Sequence, residues 1–278
     1  MSDARRENAF IVHPRRLGGN QQGMKRTIAG VAVALLSANF ATAQEIPAGT
    51  LLPVALVGTL RAGKVKANDR VVAKLAQYAV VGDSRLPRGT EVSGRVIESR
   101  PAAPGSPARL VLRFDSIRLS GHDIPITTSL RALAGMQAVF DAQLPMNMVD
   151  DHGSSIRDWN TTQIGGQAVY RGDGFVMEGE DVVGHASMVG EVVGRPMTWP
   201  WSPCARDAVL NSEQSFWVFS TDACGMYGFG DAKLTHAGRT TPVGEIALES
   251  PDKLELRGGS GLLLVVISTG QPSSAARL

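Results

Sequence analysis

From Ile46 onward the apolar residues come in short runs that alternate with polar ones, and each run is closed by Gly, Pro, Asn or Asp. A hydrophobic period of two bounded by such breakers is the pattern of β-strands. Strands are predicted over Leu51–Leu56, Arg70–Val81, Thr90–Glu98, Ala108–Leu119 and Ile124–Leu130. Turns are predicted at Ala67-Asn68-Asp69, Gly82-Asp83, Pro101 to Pro107 and Ser120-Gly121-His122-Asp123. Connections this short favour antiparallel neighbours. Between Arg109 and Leu119, Leu110, Leu112 and Phe114 alternate with Val111, Arg113 and Asp115, and Ile117 and Leu119 flank Arg118. One face of that strand is expected in a core.

A short repeat punctuates the pattern. Ile46-Pro47-Ala48-Gly49-Thr50 recurs as Leu86-Pro87-Arg88-Gly89-Thr90, and a looser copy is Thr241-Pro242-Val243-Gly244-Glu245. Each sets a proline with fixed φ, then a glycine free to turn left-handed, before a strand, so tight strand-entry turns are expected. From Arg131 to Asn147 the spacing changes: Leu133, Met136, Val139 and Phe140 fit a short helix ending before Pro145. Strand-like runs resume at Phe216–Ser220, Gly225–Phe229, Ile246–Leu248 and Leu262–Ile267. The chain is thus read as mainly β. An N-terminal barrel-like domain spans residues 46–134, a second β-rich region spans 135–268 after a helical connector, and 269–278 form a disordered tail.

The start of the chain changes what the charge means. Met24 to Gln44 reads as an export signal, with Lys25 and Arg26 ahead of the apolar run Ile28 to Leu36 and a small-residue site at Ala41-Thr42-Ala43. Taken on to Ala43, the run from Ile28 is interrupted by Gly30, Ser37 and Asn39 and falls short of the about 20 residues of a membrane-spanning helix. Cleavage between Ala43 and Gln44 is expected, making residues 1–43 a leader and leaving no transmembrane helix in the mature protein. The leader carries six basic and two acidic side chains of the chain's 28 and 26, leaving 22 against 24 over the remaining 235 residues. A near-neutral mature chain lacks the basic footprint of a nucleic-acid binder, and nucleic acid is excluded as a partner. Cys204 and Cys224 are the two cysteines. In an oxidising compartment an even pair is expected to form a disulfide.

Several segments carry a resemblance: Ile46-Pro47-Ala48-Gly49-Thr50, Leu52-Pro53-Val54-Ala55-Leu56, Val71-Val72-Ala73-Lys74-Leu75, Leu86-Pro87-Arg88-Gly89-Thr90-Glu91-Val92-Ser93-Gly94-Arg95-Val96 and Leu112-Arg113-Phe114-Asp115-Ser116-Ile117. Together they resemble the opening of the periplasmic β-barrel in the conjugal-transfer TrbI-like family, the large core-complex component of type IV secretion systems. The resemblance implies a barrel-like fold. The family's retained inner-membrane helix, long Pro-rich linker and apolar helical hairpin have no counterpart here. A free-standing exported relative is therefore implied rather than a channel subunit, because fold alone does not carry function.

Candidate chemistry is sparse. Asp150-Asp151-His152 supplies ligand types for a divalent ion but no second ligand pair, and is read as a solvated turn. Asp222, Cys224 and His236 supply the residue types of a nucleophile, base and acid, without a G-x-S-x-G elbow. Trp199-Pro200-Trp201 is a candidate platform for glycan or peptide, whereas Trp217 is expected in a core. Asn160-Thr161-Thr162 matches a glycosylation sequon. No metal or cofactor is expected. The reading is a periplasmic or secreted, non-catalytic envelope protein, structural or binding, whose partner is an envelope protein or a cell-wall glycan. The alternatives are a periplasmic hydrolase using Asp222, Cys224 and His236, and a glycan-binding module.

Overall fold

The computed structural model of the chain describes residues 46–144, 159–166, 168–171, 174–178, 180–186, 192–197, 204 and 212–269. The first half forms β1 (Leu51–Leu56), β2 (Leu60–Arg61), β3 (Arg70–Leu75), β4 (Ala79–Val81), β5 (Ser84–Leu86), β6 (Glu91–Arg100), β7 (Ala108–Leu119) and β8 (His122–Ala134), then the helix α1 (Met136–Asp141). The middle forms β9 (Trp159–Thr162), β10 (Ala168–Arg171), β11 (Gly174–Glu178), β12 (Asp181–Ala186), β13 (Val192–Gly194) and β14 (Gln214–Ser215). The last part forms β15 (Gly225–Tyr227), β16 (Lys233–His236), β17 (Glu245–Ser250), β18 (Glu255–Leu256) and β19 (Gly261–Thr269).

Six antiparallel strands, β1, β3, β6, β7, β8 and β19, close a barrel. β7 meets β8 only where Ser116–Leu119 face His122–Pro125 across the tight Ser120-Gly121 turn. Beyond that point the two strands part. Ala108–Arg113 of β7 take β17 as neighbour, and Ala132–Ala134 of β8 take β15, in parallel. Met226, Phe229, Ala232 and Leu234, from β15, β16 and their connection, pack against the barrel core.

The barrel therefore takes one of its six strands, β19, from beyond residues 46–134. Edge strands with unpaired backbone need partners, and β1 and β8 both find theirs in β19. Leu262, Leu264 and Val266 of β19 face the barrel core, while Leu263 and Val265 face outward onto Phe216, Val218 and Phe219. A strand apolar on both faces is one buried on both faces.

The interior is packed with side chains such as Leu52, Val54, Leu110, Phe114, Ile117 and Leu264. Phe114 and Ile117 both point inward although they are three apart, because Asp115 is bulged out opposite β6 between the pairs Ser93↔Ser116 and Gly94↔Phe114. The bend brings two backbones together at Gly94, where a Cβ would sit 1.7 Å from the Arg113 carbonyl oxygen. The repeated turns form as expected. Thr50, Thr90 and Glu245 each donate a backbone N–H to the carbonyl of Pro47, Pro87 and Pro242, at 3.2, 3.2 and 3.3 Å. Gly49, Gly89 and Gly244 take φ of 87°, 86° and 83°. In the first two the threonine hydroxyl also donates to the proline carbonyl, at 2.7 Å each.

Three expectations are corrected. Phe216–Ser220 is not a strand: Trp217 has φ 55° and the Phe219 N–H donates to the Phe216 carbonyl, so the segment turns on itself. Its apolar residues are buried because a plug docked on a sheet is covered as fully as a central strand. The helix starts at Met136, since Leu133 is held in β8 by pairing with Leu262. Arg70–Val81 is broken after Leu75, where buried Gln77 donates its side-chain N–H to the Val192 carbonyl.

Candidate functional site

The outer faces of β1, β8 and β19 carry the rest of the molecule. Leu51, Ala132, Ala134, Leu263 and Val265 form a second core with Val139, Ile164, Phe216, Val218, Phe219 and Ala223. The Trp217 ring is half-buried and lies against Gly261, where a Cβ would come within 3.0 Å of it. Polar side chains stitch the same seam. The Gln214 side-chain oxygen accepts from the Leu51 N–H at 2.5 Å, so β14 is tied to the first barrel strand.

Cys204 and Cys224 are bonded, with Cα atoms 5.9 Å apart. The bridge lies beside β8: the Cys204 sulfur is 3.6 Å from the Arg131 carbonyl oxygen, and the Arg239 guanidinium sits 3.2 Å from that sulfur. Arg239 also donates to the Leu130 carbonyl at 3.0 Å. Arg131 is 1% exposed, and its guanidinium donates to the carbonyls of Thr221 and Ala223 at 2.6 and 3.2 Å and approaches that of Met197 at 3.4 Å. Buried cations need such acceptors. Arg131 thus ties the segment around Cys224 to β8, and Arg239 links the Cys204 side of the bridge to the same strand. Neither was expected from the sequence, although an arginine inside the apolar run Leu130–Ala134 is a visible signal.

Of the residues proposed for a hydrolase, Cys224 is held in the disulfide. A sulfur held in a disulfide offers no thiolate. The Cys224 backbone is bound instead to the Tyr227 hydroxyl, which donates to its carbonyl at 2.8 Å and accepts from its N–H at 3.0 Å. The His236 ring Nε2 lies 3.1 Å from the Pro242 carbonyl oxygen, in the turn before β17. Asp222 is half-buried beside the bridge. Among the described residues no three His, Cys, Asp or Glu side chains gather as metal ligands. Asp150-Asp151-His152, Trp199, Trp201 and the Ala43/Gln44 junction lie outside the described residues; Asn160 lies in β9.

Two surfaces remain. The outside of β3, β6, β7 and β17 is a lattice of cross-strand arginine–carboxylate pairs: Arg70–Glu91 at 2.5 Å, Arg95–Asp115 at 2.7 Å, Arg109–Glu249 at 2.5 Å and Arg113–Glu245 at 2.7 Å. Glu98 and Glu249 hold the Arg109 guanidinium, raising its pKa, with the hydrogen bond it donates to Glu98 the larger cause. Charges outside and aliphatic side chains inside reverse the arrangement of a membrane-spanning barrel, whose outer band is apolar. The second surface is mixed, with Glu180, Asp181 and His185 exposed beside two large apolar side chains. The β11–β12 hairpin, in a four-stranded sheet with β13 and β14, exposes Phe175 at 69% and Val182 at 57%. His185, which pairs with Phe175, has its ring 3.7 Å from the Glu213 carboxylate.

No protein-family model, curated protein or solved structure matches the chain.

Proposed function

We propose that the chain is an exported, non-catalytic protein of the cell envelope that works as a binding module. The barrel is the frame, and the segment inserted between β8 and β15 presents the contact surface. The observation that carries this reading is the distribution of apolar surface. The barrel core is filled and its outer lattice is charged, whereas Phe175 and Val182 stand exposed on a hairpin held to the frame through β14. Val57 and Phe140 are exposed elsewhere too, at 54% and 55%, but Phe175 is the most exposed large apolar side chain among the described residues, and apolar side chains gathered on one element mark contact sites. The disulfide supports an oxidising compartment, periplasmic or extracellular. The resemblance of Ile46 to Ile126 to a periplasmic secretion-complex barrel supports an envelope partner of protein character.

The test is fractionation followed by mass spectrometry and thiol labelling. A mature terminus at Gln44, with both cysteines unreactive to maleimide until reduction, is the expected outcome. A retained Met1 or Met24 with free thiols would overturn the export reading. Phe175→Asp should abolish association with the envelope partner while leaving the barrel's melting temperature unchanged. If it leaves association intact, the hairpin is not the contact surface.

A further inference from the structure

A groove of about 310 Å³ opens at the end of the barrel where the start of α1, the connection after β15 and the turn between β18 and β19 come together. It lies apart from the β11–β12 hairpin, and its chemistry is different. Ser260 lines it and is 1% exposed. The Ser260 backbone is satisfied, with its N–H donating to the Arg257 carbonyl at 3.0 Å and its carbonyl accepting from the Leu56 N–H at 2.9 Å. Its hydroxyl oxygen has no hydrogen-bond partner among the described residues. Buried hydroxyls are ordinarily paired, so one left over beside a cavity points to something that enters the cavity.

The rim is cationic. Glu255 is bound by Arg61 at 2.7 Å, by Arg257 at 3.3 Å and by Lys253 at 3.5 Å. Lys253, Arg257 and Glu255 all line the groove, two cations against one carboxylate that Arg61 also pairs from outside the lining, so positive charge is in excess there. The lining is mixed, with Gln137 and Glu255 on the polar side and Met136, Phe229 and Leu254 as its large apolar side chains. A fully hydrated anion such as phosphate gains nothing from those apolar side chains, and an uncharged aliphatic molecule gains nothing from the rim.

We infer that this groove is a binding site for an aliphatic carboxylate, whose charged end meets Lys253, Arg257 and the Ser260 hydroxyl while its hydrocarbon lies against Met136, Phe229 and Leu254. Two sources share that chemistry, the C-terminus of a peptide ending in an aliphatic residue and a short fatty acid. The site is independent of the compartment and of the hairpin's partner.

The experiment is an NMR titration of the full chain, following the Met136 methyl resonance, with hexanoate, N-acetyl-leucine, hexanol and inorganic phosphate as separate probes. Hexanoate or N-acetyl-leucine should shift the resonance saturably, and hexanol at equal concentration should not. The tighter of the two carboxylates identifies the source, a peptide terminus or an acyl chain. Ser260→Ala should weaken carboxylate binding by about tenfold, the loss expected for one hydrogen bond to a charged group. Lys253→Ala with Arg257→Ala should weaken it by about tenfold or more and remove its dependence on salt. The latter pair is exposed, so the test survives if Ser260→Ala fails to fold. Equal binding of hexanol, competition by phosphate as strong as that by hexanoate, no binding of either carboxylate, or affinities unchanged in the variants would each overturn the inference.

Discussion

The disulfide gives the most quantitative handle on how the inserted segment is held. Replacing both cysteines, Cys204→Ala with Cys224→Ala, opens a loop whose ends are 20 residues apart. In the chain-entropy account a loop of that size restricts the unfolded ensemble by about 3 kcal/mol. For a chain of this length each kcal/mol moves the melting temperature by roughly 2–4 °C, so the double variant should melt about 6–12 °C lower. Because the change acts mainly on the unfolded state, urea unfolding should also show a larger m-value as the denatured chain expands. The folded barrel should be unaltered, since Arg131 and Arg239 still bind β8 and the carbonyls around Thr221. The assay is urea unfolding of oxidised wild type, reduced wild type and the double variant, with circular dichroism as the check on fold. Reduced wild type and variant should coincide, both below the oxidised protein. If all three agree within about 0.5 kcal/mol, the chain-entropy account of this crosslink is wrong.

Other substitutions separate steric from conformational and packing effects. Gly94→Ala forces a Cβ to 1.7 Å from the Arg113 oxygen, so it should cost well over the roughly 1 kcal/mol of an average substitution, read as a drop in urea midpoint. Gly89→Ala meets no atom within 4 Å, so its cost should be only the about 1–2 kcal/mol of the left-handed backbone; a larger loss would contradict that separation. Phe114→Ala empties a fully buried ring site in the barrel and should cost about 3–5 kcal/mol. Arg118 and Arg61 hold the carboxyls of Asp123 and Glu255 below their ordinary values of 3.8 and 4.5. A carboxyl with a depressed folded-state pKa contributes stability that is complete above its unfolded value and is lost as pH falls through the folded one. Stability should therefore decline below about pH 4.5, and Arg61→Gln should flatten that decline; an unchanged pH profile would sink the assignment.

Local chemistry was legible wherever it alone decides the outcome. Leu51–Leu56 and Ala108–Leu119 were readable to the residue, because each is a clean strand pattern between turn residues. The three Pro-x-Gly turns were readable because proline and glycine fix their φ angles locally. Non-local choices were not. Nothing in Gly261–Thr269 says that its partners are β1 and β8, more than a hundred residues back, so the barrel was assigned too short a stretch of chain. The aromatic run Phe216–Phe219 reads equally as strand or plug until the sheet beneath it is known. The disulfide followed from cysteine count and expected compartment, but the buried arginines beside it depend on carbonyls supplied by distant segments. Ser260 carries no sequence signal at all: what sets it apart is that an unpartnered hydroxyl belongs to a residue lining a groove.

The position of β19 also orders events in time. It is the last of the described strands, and it inserts between the first strand and the eighth. A nascent chain cannot complete this barrel until residues 261–269 have been made and released from the ribosome. The Leu51↔Val265 pairing spans nearly the whole described chain, and contacts of such high sequence separation form late and slowly. Until then the edges that β1 and β8 present to β19 stay without that partner.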